Sequence, residues 1–109
     1  MKYQNTLESG TVRYIIFKED NVWYGVALEF NLVEEGDSAR EVMDSLFEAI
    51  QGYVETAQKL KMRPMPLNQA PDKEYEKLWN KLEKKKKDRA SISKNVYNFG
   101  NISPYAMAL

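Results

Sequence analysis

Between residues 34 and 41 the hydrophobic period of the chain changes from two to between three and four. Upstream, VWYGVALEF at 22–30 alternates as a pleated strand does, with Val22, Tyr24, Val26, Leu28 and Phe30 on one face and Trp23, Gly25, Ala27 and Glu29 on the other. Downstream, Val42, Met43, Leu46, Phe47, Ile50, Tyr53, Val54 and Ala57 recur at helical spacing and make one apolar stripe. An apolar strand face and an apolar helix stripe must each be removed from water, and the economical solution is to pack one on the other. The expectation is a helix over 39–61 lying on a small sheet, with the Val22 to Phe30 set directed inward.

The junction, EEGDSARE at 34–41, has the chemistry of a helix start. Ser38 and Glu41 form a capping box, in which the hydroxyl accepts from the Glu41 amide and the Glu41 carboxylate reaches back to the Ser38 amide. Asp37, Glu41 and Asp44 also lie by the positive end of the helix dipole, where each carboxylate gains about 0.3–1 kcal/mol.

Before it, TVRYIIFKED at 11–20 is rich in β-branched and aromatic residues and predicts a strand. Lys18, Glu19, Asp20 and Asn21 give a short polar connection, so the two strands form an antiparallel hairpin. Asn31 interrupts the extended run before Leu32 and Val33 begin a short third strand ending at Gly36. KMRPMPLNQAP stops the long helix with its prolines, and a second helix starts after Pro71, with Tyr75, Leu78, Trp79 and Leu82 as its stripe, Lys73, Lys77 and Lys81 beside it and KKKK at 84–87 beyond it. In the final SISKNVYNFGNISPYAMAL a short strand is expected near 92–99, followed by a loose tail. The fold class is therefore α+β: a small antiparallel sheet in the order β-β-β-α with a further C-terminal strand, packed on one long helix, plus a second, basic helix. The chain divides into 1–70, 71–90 and 91–109.

A length of 109 residues suits one core, since domains typically hold about 100–150 residues. The absence of cysteine removes disulfides and thiolate metal sites, and the absence of histidine removes the commonest general base and transition-metal ligand. No enzyme activity and no cofactor are expected. No segment reads as a signal peptide or membrane span, and a cytoplasmic protein without membrane contact is expected. The net charge is zero but unevenly distributed: residues 1–71 hold seven basic and eleven acidic side chains, and residues 72–89 hold eight and five. Two surfaces with different partners would follow.

The order VRYIIFKED, VWYGVALEF, LVEEGDSAREVM and FEAIQGYVE, then MRPMP, resembles the HicB-like antitoxin family over about residues 11–67. Glu29 stands where that family often has Pro, and Val42 where it usually has Ala. The resemblance implies a partial ribonuclease-H-like fold and a homodimer or higher oligomer. It also implies a role as the neutralising partner of a small basic toxin, a HicA-like ribonuclease, whose active site the antitoxin occludes. The DNA-binding module that many relatives carry after this region is not recognisable here.

Eight acids, Glu29, Glu34, Glu35, Asp37, Glu41, Asp44, Glu48 and Glu55, fall between 28 and 55 with Arg40 as the only base. They read either as a surface complementary to a basic partner, Glu29, Glu34, Glu35 and Asp37 above all, or as a solvated helix face with dipole compensation. Trp23, on a strip with Gly25 and Ala27, is either a partner-binding anchor or a residue covered by the second helix. Tyr97 and Phe99, with Tyr105, Met107 and Leu109, need an apolar surface; the tail that carries them is expected to add as a strand to, or thread across, a neighbouring subunit or the toxin. An alternative function, a nucleic-acid-binding regulator, would use Lys81, Lys84, Lys85, Lys86 and Lys87 on phosphates, against the plain reading of a lysine-rich helix end that favours the negative end of the dipole. The remaining alternative, a degenerate nuclease, would need Glu29 and Asp44 to converge on metal ions.

Overall fold

In the computed structural model, which describes residues 4–105, the hairpin turn is only two residues long. Asp20 and Asn21 both take positive φ, 52° and 64°, the geometry whose twist matches that of flanking antiparallel strands. Strand β1 (Val12–Glu19) therefore pairs with β2 (Val22–Ala27) as far as Glu19 opposite Val22. Lys18 and Glu19 belong to the ladder and not to the connection. Asn31, at φ 53°, turns the chain from β2 into β3 (Leu32–Gly36). A fourth strand, β4 (Val96–Ile102), pairs antiparallel with the other edge of β1, giving the order β3-β2-β1-β4. The further C-terminal strand expected from the sequence thus joins the chain's own sheet, a few residues later than 92–99, because β1 offers a second free edge. Met107 and Leu109 lie outside the described residues.

Helix α1 (Ala39–Lys59) starts at the expected cap with half of the expected box: Ser38 accepts from the Glu41 amide at 3.4 Å, but among the described residues the Glu41 carboxylate makes no bond back to the Ser38 amide. It ends before the prolines. Lys61 adopts φ 51°, its amide donates to the Gln58 carbonyl, and the Met62 amide donates to Ala57, a Schellman closure that satisfies the last carbonyls. Helix α2 (Lys73–Lys87) is capped by the Asp72 carboxylate at the Glu74 amide, and closes in the same way through Arg89, at φ 56°.

The two helices lie on opposite faces of the sheet, and this corrects the expected direction of β2. Alternation along β1 sends Val12, Tyr14 and Ile16 to α1 and Ile15 and Phe17 to α2. In β2 it is the thinner face, Gly25 and Ala27, that receives the long helix; Val26 and Tyr24 face α2. The reason is room. A Cβ on Gly25 would lie 2.9 Å from Val42 and 3.3 Å from Leu46, so the missing side chain lets α1 sit close to the sheet. Leu28 and Phe30, expected on one face, go to opposite cores: Leu28 stays with Val26 on the α2 side, and the turn after β2 redirects Phe30 to the α1 side.

An N-terminal segment that carries no strong sequence signal is tied into this frame by polar bonds. Buried Asn5 donates to the Leu67 carbonyl and accepts from the Thr11 amide, and Asn68 brackets its backbone through two bonds. Gly10, at φ 149°, permits the approach: a Cβ there would overlap Asn5. Tyr105 donates to the Thr6 carbonyl, closing the same corner.

Candidate functional site

Strand β3 is one edge of the sheet, and its alternation separates the acids that the sequence groups together. Glu34 lies opposite Gly25 and shares a hollow of about 340 Å³ with Ser45 and Glu48 on the α1 side. Glu35 lies opposite Tyr24, on the α2 side, as does Val33, which is 51% exposed. Asp37 follows the strand, exposed. Among the described residues no ion pair engages Glu34, Glu35 or Asp37; the neighbouring Arg40 pairs loosely with Asp44 at 3.7 Å. The outer edge of β3, with acids on both faces and a free row of backbone groups, is one candidate interface.

Glu29 does not join it. Its carboxylate accepts from the Arg13 backbone amide at 2.8 Å and from the Arg13 guanidinium at 2.6 Å, so its charge is neutralised inside the molecule. Arg13 continues to Glu76 on α2 with a two-point contact of 2.8 and 3.0 Å, and its guanidinium carbon lies 5.6 Å from the Trp79 ring centroid. The hydrogen bonds from Arg13 hold the Glu76 carboxyl below its ordinary range, against the opposing effect of burial. The same bonds to Glu76 raise the Arg13 guanidinium, desolvation working against them. Glu29 therefore joins sheet to helix. Sequence reasoning missed Arg13 and Glu76, although one signal existed: Arg13 is a lone cation on the strand face that otherwise carries Ile15 and Phe17.

Trp23 and Tyr97 are brought together, their rings 6.3 Å apart and edge to face, with the Lys18 ammonium 5.9 Å from the Trp23 ring. Trp23 is half-buried against the α1 core, so α2 does not cover it, which corrects that expectation. Tyr97 remains 47% exposed. Phe99 points the other way, opposite Ile15, and meets the Trp79 ring at 5.8 Å. Glu29, held on the α2 side, and Asp44, exposed on α1, lie on opposite sides of the sheet and do not converge on one ion. Among the described residues no cluster of three metal-ligating side chains occurs.

The lysines divide as well. Lys84, Lys86 and Lys87 line a hollow of about 850 Å³ with Trp79, Asn80 and Glu83; Lys86 also borders a second hollow of about 450 Å³, with Lys94, Ile92, Tyr97 and Phe99. Lys81 and Lys85 line neither. Comparisons of this chain with family models, curated proteins and solved structures find no match. No helix of the described residues is long and apolar enough to cross a membrane.

Proposed function

We propose that this chain is a binding protein of the HicB-like antitoxin kind, which neutralises a small basic ribonuclease by covering its active site. The single observation that carries this reading is the β3 edge: unpaired backbone groups, exposed Val33, and Glu34, Glu35 and Asp37 free of internal ion pairs. An extended basic segment added to such an edge gains main-chain hydrogen bonds, while its alternate side chains meet one acid on each face. Opposite potentials also steer the encounter and disfavour acidic competitors. The strand order and the helix that follows Gly36 support the resemblance at the level of fold.

Co-expression with the product of the adjoining reading frame tests this reading. A small basic protein should co-purify, and equimolar chain should stop its RNA cleavage. Glu34→Lys combined with Glu35→Lys should weaken the complex by about 10- to 100-fold, mostly through slower association at low salt. No basic protein in that frame, no inhibition by the native chain, or an undiminished complex with the double variant would overturn it.

A further inference from the structure

We propose that the trough between the C-terminal half of α2 and β4 binds single-stranded nucleic acid. The two hollows described above adjoin at Lys86, whose ammonium lies 5.8 Å from the Phe99 ring centroid. Lys84, Lys86 and Lys87 enter from the helix, and Lys94 enters from the loop that leads into β4. The convergence of two separate segments distinguishes this trough from a helix end dressed for its own dipole. The dipole accounts for cations in the last turn of α2 but not for Lys94. Residues 81–94 carry seven basic and two acidic side chains, a local excess of five positive charges in a chain whose net charge is zero. Glu83 is the acid that lines the trough.

A ring selects the form of the nucleic acid. Half-buried Phe99 lines the second hollow beside Lys86 and Lys94, whereas the Tyr97 ring lies across the sheet against Trp23. Cations that follow a backbone, beside a ring on which an unpaired base stacks, are the two parts of a single-strand groove. A duplex keeps its bases stacked on one another and would leave that ring unused, and an anionic vesicle presents phosphates without bases. Trp79, 5% exposed, supports Phe99 from below and is not itself a stacking surface.

The test uses the isolated chain and a fluorescein-labelled oligouridylate of about ten nucleotides, with the matching duplex and phosphatidylserine vesicles as competing ligands. Four lysine–phosphate contacts give an expected slope of log affinity against log salt of about −3, from about −0.7 per contact. Replacing Lys84, Lys86 and Lys87 by Gln should weaken binding at least about tenfold and flatten the slope to about −1. Lys73→Gln combined with Lys77→Gln, outside the trough, should change neither. Phe99→Leu should lose about 5- to 100-fold with the slope unchanged, and Phe99→Tyr should keep native affinity. Urea midpoints of the variants separate loss of binding from loss of fold. No binding at about 50 mM salt, tighter binding of the duplex or the vesicles, equal loss in the control pair, or a Phe99→Leu variant that binds as the native chain does would each overturn the proposal. These residues are distinct from the β3 edge, and no partner protein is present, so this result and that of the antitoxin test stand or fall separately.

Discussion

The two faces of the sheet are closed by different physics. Against α1, Ile16, Leu46 and Ile50 are fully buried, Val42 and Val54 nearly so, and Gly25 allows the helix backbone close to β2. This is dense packing of aliphatic side chains with two close ring pairs, Tyr14–Phe47 at 4.9 Å and Phe30–Tyr53 at 4.6 Å, in which each fully buried side chain contributes about 1.5–3 kcal/mol. Against α2, only Trp79 and Leu82 of the helix are buried, and much of the contact runs through rings spaced more widely: Phe17 to Tyr75 at 6.2 Å, Trp79 to Phe99 at 5.8 Å. Arg13, with Glu29 on the sheet and Glu76 on the helix, supplies a directional clasp where aliphatic packing is thin. A face held by a broad apolar stripe opens only when the domain unfolds, whereas a face held by two anchors and a clasp can open while the rest stays folded.

Truncation separates the faces most strongly. Leu46→Ala or Ile50→Ala, which leave cavities in the α1 core, should each lower unfolding free energy by about 3–4 kcal/mol in urea titrations. Trp79→Ala should cost less, about 2 kcal/mol, because α2 can release while the sheet and α1 persist; the loss should appear as rapid amide exchange confined to α2. If Trp79→Ala unfolds the whole domain as Leu46→Ala does, the two faces are one cooperative unit.

The clasp sharpens the contrast at lower energy. Arg13→Ala leaves Glu29, whose side chain is 16% exposed, without its partner and should cost about 1–2 kcal/mol. The coupling of Arg13 to Glu76, which is 37% exposed, should be only about 0.5–1 kcal/mol in a double-mutant cycle. The acid dependence has a defined sign. Since the folded-state pKa of Glu76 is depressed, its contribution is complete above the ordinary carboxyl range of the unfolded chain and is lost as pH falls through the lower folded value. Urea midpoints measured from about pH 6 to about pH 3 should fall further for the native chain than for Glu76→Gln; equal falls would remove the clasp from the account.

Much of this arrangement is legible in the residues, and the exceptions have identifiable causes. The change of period located β2, β3 and α1, and Ser38 located the start of α1, because those signals are local. The facing of β2 is not legible from apolarity alone, because the more apolar set does not mark the side on which the long helix lies. In a sheet covered on both sides every face is inward, and the small residues mark the closer helix. The Asn5 brace and the Arg13 clasp depend on partners more than sixty residues away, beyond any window of sequence. The same limit applies to the interfaces. Glu34, Glu35 and Asp37 are visible as an acidic run, but only the sheet places the first two on opposite faces of an edge strand. The lysine run is visible too, but its meeting with Lys94 and Phe99 depends on β4 returning to the edge of β1.

Amide hydrogen exchange of the native chain under mildly denaturing conditions, resolved by element, tests the unequal closure of the two faces most directly. Amides of β1, β2 and α1 should exchange only with global unfolding, with the full denaturant dependence, while those of α2 exchange through a smaller opening of lower free energy. Equal opening free energies for α1 and α2, or an α1 that opens first, would contradict the account.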